Sequence, residues 1–182
     1  HFDFLVYNVS MDDIKFYNFN KIDWSIDEIE NLDFRFVPTY QINPSFDHYH
    51  HERYKHVLGN DAYFLPNVMP SFVDEIMKLE PFKRYKVITP GFHRLQPGMI
   101  LPLHKDPYNK FKKIYNLDSS GSITRIIIFM QDYIPGHYIQ IENEVITNYT
   151  KGCFVQWKGE TLHAAFNLGT ENRYTLQLTC YE

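Results

Sequence analysis

The chain has 182 residues, 44% hydrophobic and 22% charged, which fits one globular domain with a substantial core. Its net charge of -4 offers no basic field for nucleic acid, and no apolar run approaches the ~20 residues of a membrane-spanning helix. Two cysteines, Cys153 and Cys180, exclude a disulfide framework.

Two cysteines favour a reduced, cytoplasmic setting, and the opening HFDFLVYNVS lacks the basic start and small-residue cleavage site of a secretion signal. SIDEIENL (25–32) predicts a short helix with Ser25 as its N-cap and acids in the first turn. PTYQINPSFDHYHHERYKH (38–56) has no clean period and reads as irregular. Its His48, His50, His51 and His56 raise the question of a second metal, but the spacing in a polar segment suits a solvated or substrate-side loop. PSFVDEIMKLE (70–80) predicts a second helix, with Ser71 as cap and Phe72, Ile76 and Leu79 on one face.

From residue 86 the character changes, and short runs rich in Ile, Val, Thr, Tyr and Phe alternate with Gly, Pro, Asn and Asp. Strands are predicted at 86–96, 99–106, 122–131, 137–142, 144–149, 153–159, 161–168 and 173–181, with a hairpin at IENEV and a tight turn at NLGTEN. The expected fold is mainly β: a jelly roll, or double-stranded β-helix of the cupin kind, with supporting N-terminal helices. Residues 1–85 form a mixed α/β lead-in to a core at 86–182, all within a single domain.

Side chains alternate along a strand, so in LPLHKD (101–106) His104 and Asp106 are expected on one face and Lys105 on the other. In HAAFN (163–167), His163 shares a face with Ala165 and Asn167. In the last strand Arg173, Thr175, Gln177 and Thr179 alternate with Tyr174, Leu176, Leu178 and Cys180. The apolar set should pack on the helices, which turns the polar set into the barrel. An inward arginine calls for an anion, and its planar fork suits a carboxylate. Two imidazoles and a carboxylate on converging strands make a two-His-one-carboxylate set, which leaves coordination positions open and suits non-heme Fe(II). The plainer alternatives are a hydrogen-bonded core histidine at 163 and a surface ion pair at Arg173. Order and spacing favour the metal: His-x-Asp on an early strand, the second histidine on a late one, and an arginine ten positions after it. No Gly-x-Ser-x-Gly elbow is present for a serine nucleophile.

This ordered set resembles the Fe(II)/2-oxoglutarate-dependent dioxygenases. HRLQPGMILPLHKD (93–106) with GETLHAAFNLGTENRYTLQLT (159–179) looks most like the aspartyl/asparaginyl β-hydroxylase and proline-hydroxylase-like branches, which share the Pro97-Gly98 turn. The resemblance implies that His104, Asp106 and His163 are the iron ligands and catalytic centre. It implies that Arg173 and Thr175 clamp the C5 carboxylate of 2-oxoglutarate, with His93 and Arg125 as further co-substrate contacts. For Arg125 a solvated strand arginine is the alternative.

The implied cofactors are Fe(II), the co-substrate 2-oxoglutarate and O2, with ascorbate as an optional reductant. The implied reaction is hydroxylation of an amino acid or a peptidyl Pro or Asp/Asn side chain, with succinate and CO2 as co-products. Asp106 favours hydroxylation over halogenation, and Thr179 stands where the nucleobase demethylases carry a second arginine, so no nucleic acid partner is expected. Tyr108 and Tyr115 are candidates for substrate contact, and Trp157 for packing at a strand end. A cupin-like metalloenzyme that does not use 2-oxoglutarate, or a catalytically silent jelly-roll binding protein, is the alternative.

Overall fold

A computed structural model describes residues 14–15, 22–39, 56–117, 123–159 and 161–182. In chain order the elements are β1 (Ile14–Lys15), α1 (Ile26–Glu30), β2 (Arg35–Pro38), β3 (Gly59–Phe64), α2 (Ser71–Met77) and α3 (Glu80–Lys83). They continue as β4 (Val87–Leu95), β5 (Ile100–His104), α4 (Asn109–Tyr115), β6 (Ile123–Phe129), β7 (His137–Ile141) and β8 (Glu144–Ile146). The chain closes with β9 (Phe154–Lys158), β10 (His163–Asn167) and β11 (Arg173–Tyr181).

The strands form a seven-stranded sheet, ordered β1-β9-β6-β11-β4-β3-β2, and a four-stranded sheet, ordered β5-β10-β7-β8. The named strand pairs are antiparallel. This is a double-stranded β-helix, as the strand pattern predicts. Both faces of the central strands are buried, which explains the unbroken ITRIIIF of β6.

Outside the large sheet, Tyr174, Leu176, Leu178 and Cys180 of β11 pack with Ile29 of α1, Phe72, Val73 and Ile76 of α2, and Phe82 of α3. Inside, Ile127, Phe129, Val155 and Trp157 meet Ile139 and Ile141 of the small sheet. The polar set of β11 therefore does face the interior.

Ser25 caps the first helix as expected, while several other local expectations need correction. The first helix carries the capping box, with Ser25 Oγ accepting from the Glu28 amide at 3.3 Å and Glu28 accepting from the Ser25 amide at 2.9 Å. The second helix does not use Ser71 as cap: Pro70 holds that position, no side chain bonds the first turn, and Ser71 is already helical. The lead-in contributes β2 and β3, which extend the large sheet beside β4. GNDAYF is a poor strand former by composition, and pairing with β4 decides it. Helix α4 occupies the stretch between the strands predicted at 99–106 and 122–131, for which no element is predicted, and is entered through Tyr108 at φ 52°. Finally, β5 ends at His104, so Asp106 follows the strand rather than belonging to it.

The Pro97-Gly98 turn sets up β5. The Met99 amide donates to the Gln96 carbonyl at 2.9 Å, and Gly98 takes φ +84°, the third-position geometry of a type II turn. The Gly98 amide then bonds the Asn167 carbonyl at 2.8 Å, tying the turn to the end of β10.

Candidate metal centre

β10 and β5 pair so that His163 stands directly opposite His104. The register slips between this pair and Ala165↔Leu101, a bulge at Pro102-Leu103, where proline can donate no ladder hydrogen bond. The bulge re-aims His104, whose Nδ1 lies 2.6 Å from the Pro102 carbonyl. His163 repeats the pattern, with Nδ1 2.9 Å from the Thr161 carbonyl. A carbonyl only accepts, so each Nδ1 carries a proton and each Nε2 is the ring atom left for another partner.

Both Nε2 atoms face Asp106: His104 Nε2 is 3.6 Å from Oδ1, and His163 Nε2 is 3.7 Å from Oδ2. The donor atoms of the three residues lie within 4.8 Å of one another. Two metal–ligand bonds of about 2.1 Å span about 4.2 Å at most, enough for the 3.6 and 3.7 Å contacts to Asp106, while donors at the 4.8 Å limit must draw together around an ion. The residues fit a divalent ion in both tautomer and spacing.

Electrostatics agree. Burial opposes the charge on Asp106, but Arg125, helped by the two histidines, holds the carboxyl well below its ordinary range. Burial pushes the His163 imidazole down to about 4, against the pull of Asp106. Near neutral pH the cluster thus presents a carboxylate and at least one neutral imidazole, the forms a metal needs.

Arg125 is buried, not solvated, and its guanidinium is committed. Nη2 and Nε donate to Oδ2 of Asp106 at 2.5 and 3.1 Å, and Nη1 donates to Thr179 Oγ1. The Tyr108 ring lies 5.0 Å from its Cζ. Tyr108 is itself buried, and burial raises its phenol to about 12, partly offset by Arg125. Trp157 packs on His163 at 4.8 Å between ring centroids. Tyr115 accepts a 3.0 Å hydrogen bond from Thr89 on β4.

Arg173 is the opposite case. It is 3% exposed at the start of β11, opposite Leu95 of β4, yet its Nε and Nη2 have no hydrogen-bond partner among the described residues. Its Cζ sits 5.9 Å from the Phe129 ring, on which Tyr149 stacks with ring centroids 3.6 Å apart. Tyr149 is a residue sequence reasoning missed: its buried hydroxyl has no hydrogen-bond partner among the described residues, and burial raises its phenol against the pull of Arg173. Thr175 is buried two positions along the same face, opposite His93 of β4 and Phe129 of β6.

Asn60 was also missed, and it settles the state of His93. Its Nδ2 lies 3.2 Å from the Asp61 carbonyl and 2.8 Å from His93 Nδ1. That amide nitrogen donates, so His93 accepts at Nδ1 and carries its proton on Nε2, which is buried without a partner among the described residues. Burial, then Arg125, lowers the imidazole to about 3, keeping it a neutral donor. His48, His50 and His51 lie outside the described residues, while His56 is exposed.

Neither a protein-family model nor a curated protein matches the sequence. Solved structures do. A prolyl-4-hydroxylase from Pseudomonas putida superposes with a TM-score of 0.50 at 10% identity, covering 86% of this chain and 96% of that one. KdgF from Halomonas sp. gives 0.41 at 10% identity over 68% and 79%. A cupin 2 conserved barrel domain protein from Salinispora arenicola gives 0.38 at 11% identity over 66% and 74%. Such identities speak to the fold alone, and the fold is the double-stranded β-helix.

Proposed function

We propose that the chain is an Fe(II)/2-oxoglutarate-dependent hydroxylase. The observation that carries this reading is Arg173, a buried guanidinium with two unpartnered nitrogens in the barrel that also holds the His104–Asp106–His163 cluster. A buried charge left unpaired costs several kcal/mol, so its natural partner is an anionic ligand. A small acid with a carboxylate at each end meets both features: one end at the metal, the other at Arg173.

In this reading His104, Asp106 and His163 hold the ion, which supplies the O2-reducing chemistry when bound. Arg173 receives the C5 carboxylate, and Thr175 and Tyr149 lie beside it as hydroxyl donors. His93 offers its Nε2–H from the facing strand. The net reaction balances as 2-oxoglutarate, O2 and a C–H bond giving succinate, CO2 and a C–OH bond. The sequence resemblance, not the fold, carries the substrate class: an amino acid or a peptidyl Pro or Asp/Asn side chain, with no nucleic acid or membrane involved. We assign the protein to the cytoplasm on its cysteine usage, two thiols and no disulfide framework. No helix among the described residues is long and apolar enough to cross a membrane.

The test is anaerobic addition of Fe(II) and 2-oxoglutarate, read by the weak visible charge-transfer band, followed by succinate release in air. A band in the wild type that is lost in Arg173→Ala, with succinate formed aerobically, supports the reading. Absence of the band overturns it, and a band without succinate points to a silent binding protein.

A further inference from the structure

We propose that Arg125 is a positioning residue that reserves one oxygen of Asp106 for the metal. The inference rests on the metal reading above and gives Arg125 a role other than co-substrate contact. An arginine and a carboxylate normally meet fork to fork, one nitrogen on each oxygen. Here both the Nε and Nη2 donors converge on Oδ2, at 3.1 and 2.5 Å. Oδ1 is left on the His104 side, 3.6 Å from its Nε2.

The choice needs enforcing, because Oδ2 is itself 3.7 Å from His163 Nε2. Asp106 lies beyond the end of β5, where no strand ladder holds its carboxylate plane. Without a grip on Oδ2, both oxygens could close on one ion. Arg125 cannot easily let go. Its Nη1 is anchored by Thr179 on β11, its backbone lies within β6, and Tyr108 covers the guanidinium face.

The consequence is a count of coordination positions. Two imidazoles and one carboxylate oxygen leave about three places of an octahedral site open, enough for a two-point co-substrate and one further ligand. A two-oxygen Asp106 would leave about two.

The experiment counts exchangeable waters on Mn(II)-loaded protein by water-oxygen ENDOR and measures Mn(II) affinity. Wild type should show about three waters and Arg125→Ala about two. The variant's Mn(II) affinity should change by roughly 10- to 100-fold, the usual effect of losing a partner of a ligating group. Millimolar guanidinium should restore the third water in Arg125→Ala, a rescue that a merely structural defect would not show. If Arg125→Ala does not fold, Thr179→Val, which frees only Nη1, should still lower the mean water count. An unchanged count in whichever of these variants folds, or no rescue by guanidinium, overturns the proposal while leaving the metal reading intact. If the wild type binds no Mn(II), both fall together.

Discussion

His104 and His163 face each other across the β5–β10 ladder, ring centroids 4.3 Å apart, and each donates from Nδ1 to the carbonyl two residues before it. Neighbouring strands thus present two imidazoles in the same tautomer. Removing either ring should weaken Fe(II) or Co(II) binding by at least roughly 100-fold, more than the loss of an outer partner. Competition with a chromogenic chelator measures it. His163→Ala that binds iron as tightly as wild type would refute the assignment.

Arg173 sets stability against binding. Arg173→Met keeps the volume and removes a buried cation whose Nε and Nη2 lack partners among the described residues. We expect the ligand-free variant to be more stable by roughly 1–4 kcal/mol. In a chain of this size that raises Tm by about 2–4 °C per kcal/mol. The same change should cost roughly 2–5 kcal/mol of 2-oxoglutarate affinity. Differential scanning calorimetry and anaerobic titration calorimetry read the two effects, and a variant that loses stability would contradict the unpaired-charge account.

His93 predicts part of the acid limb of stability. Its imidazole falls from 6.5 unfolded to about 3 folded, mainly through burial. Between those values the unfolded chain binds more protons, so stability drops as pH falls through this window. His93→Gln should flatten the dependence of unfolding free energy on pH from about 6.5 to 3. Denaturant titrations at several pH values check the slope, and parallel curves for the two proteins would exclude the contribution.

Gly98 holds φ +84° in the turn before β5. Space is not the obstacle to a side chain there, since a Cβ would meet nothing within 4 Å; backbone conformation is. Gly98→Ala should cost roughly 1–2 kcal/mol. Thermal unfolding measures it, and an unchanged Tm would mean the turn relaxes freely.

Alternation along β11 turns Arg173 inward as expected, but it does not account for the cluster: Asp106 lies past the end of β5 and a bulge re-aims His104, so the two meet His163 by local geometry that the spacing alone does not dictate. It could not say what an inward residue would meet. Arg125 was expected to touch a co-substrate, yet it grips Asp106, and only the three-dimensional approach of β6 to the end of β5 decides that. Asn60 went unnoticed because GNDAYF lacks the usual strand formers and becomes β3 through pairing with β4. Helix α4 was hidden for a local reason: its N-cap is Tyr108, without a side-chain cap, and its turn signal lies in a left-handed tyrosine rather than a glycine. Ser71 misled because Pro70 before it already occupies the cap position.

β11 is hydrogen-bonded to a neighbour on each side, β4 along all nine residues and β6 over Thr175–Tyr181. β5, by contrast, is the edge of the small sheet, and Asp106 follows its last residue. Amide protons of β11 should therefore exchange with solvent only through global opening, and those around residues 104–106 through cheaper local fluctuations. Arg173 and Asp106 should fall in different tiers of protection. On the proposed metal reading, a chelator should strip the ion while β11 stays folded, and reloading should slow exchange at the β5 terminus far more than within β11.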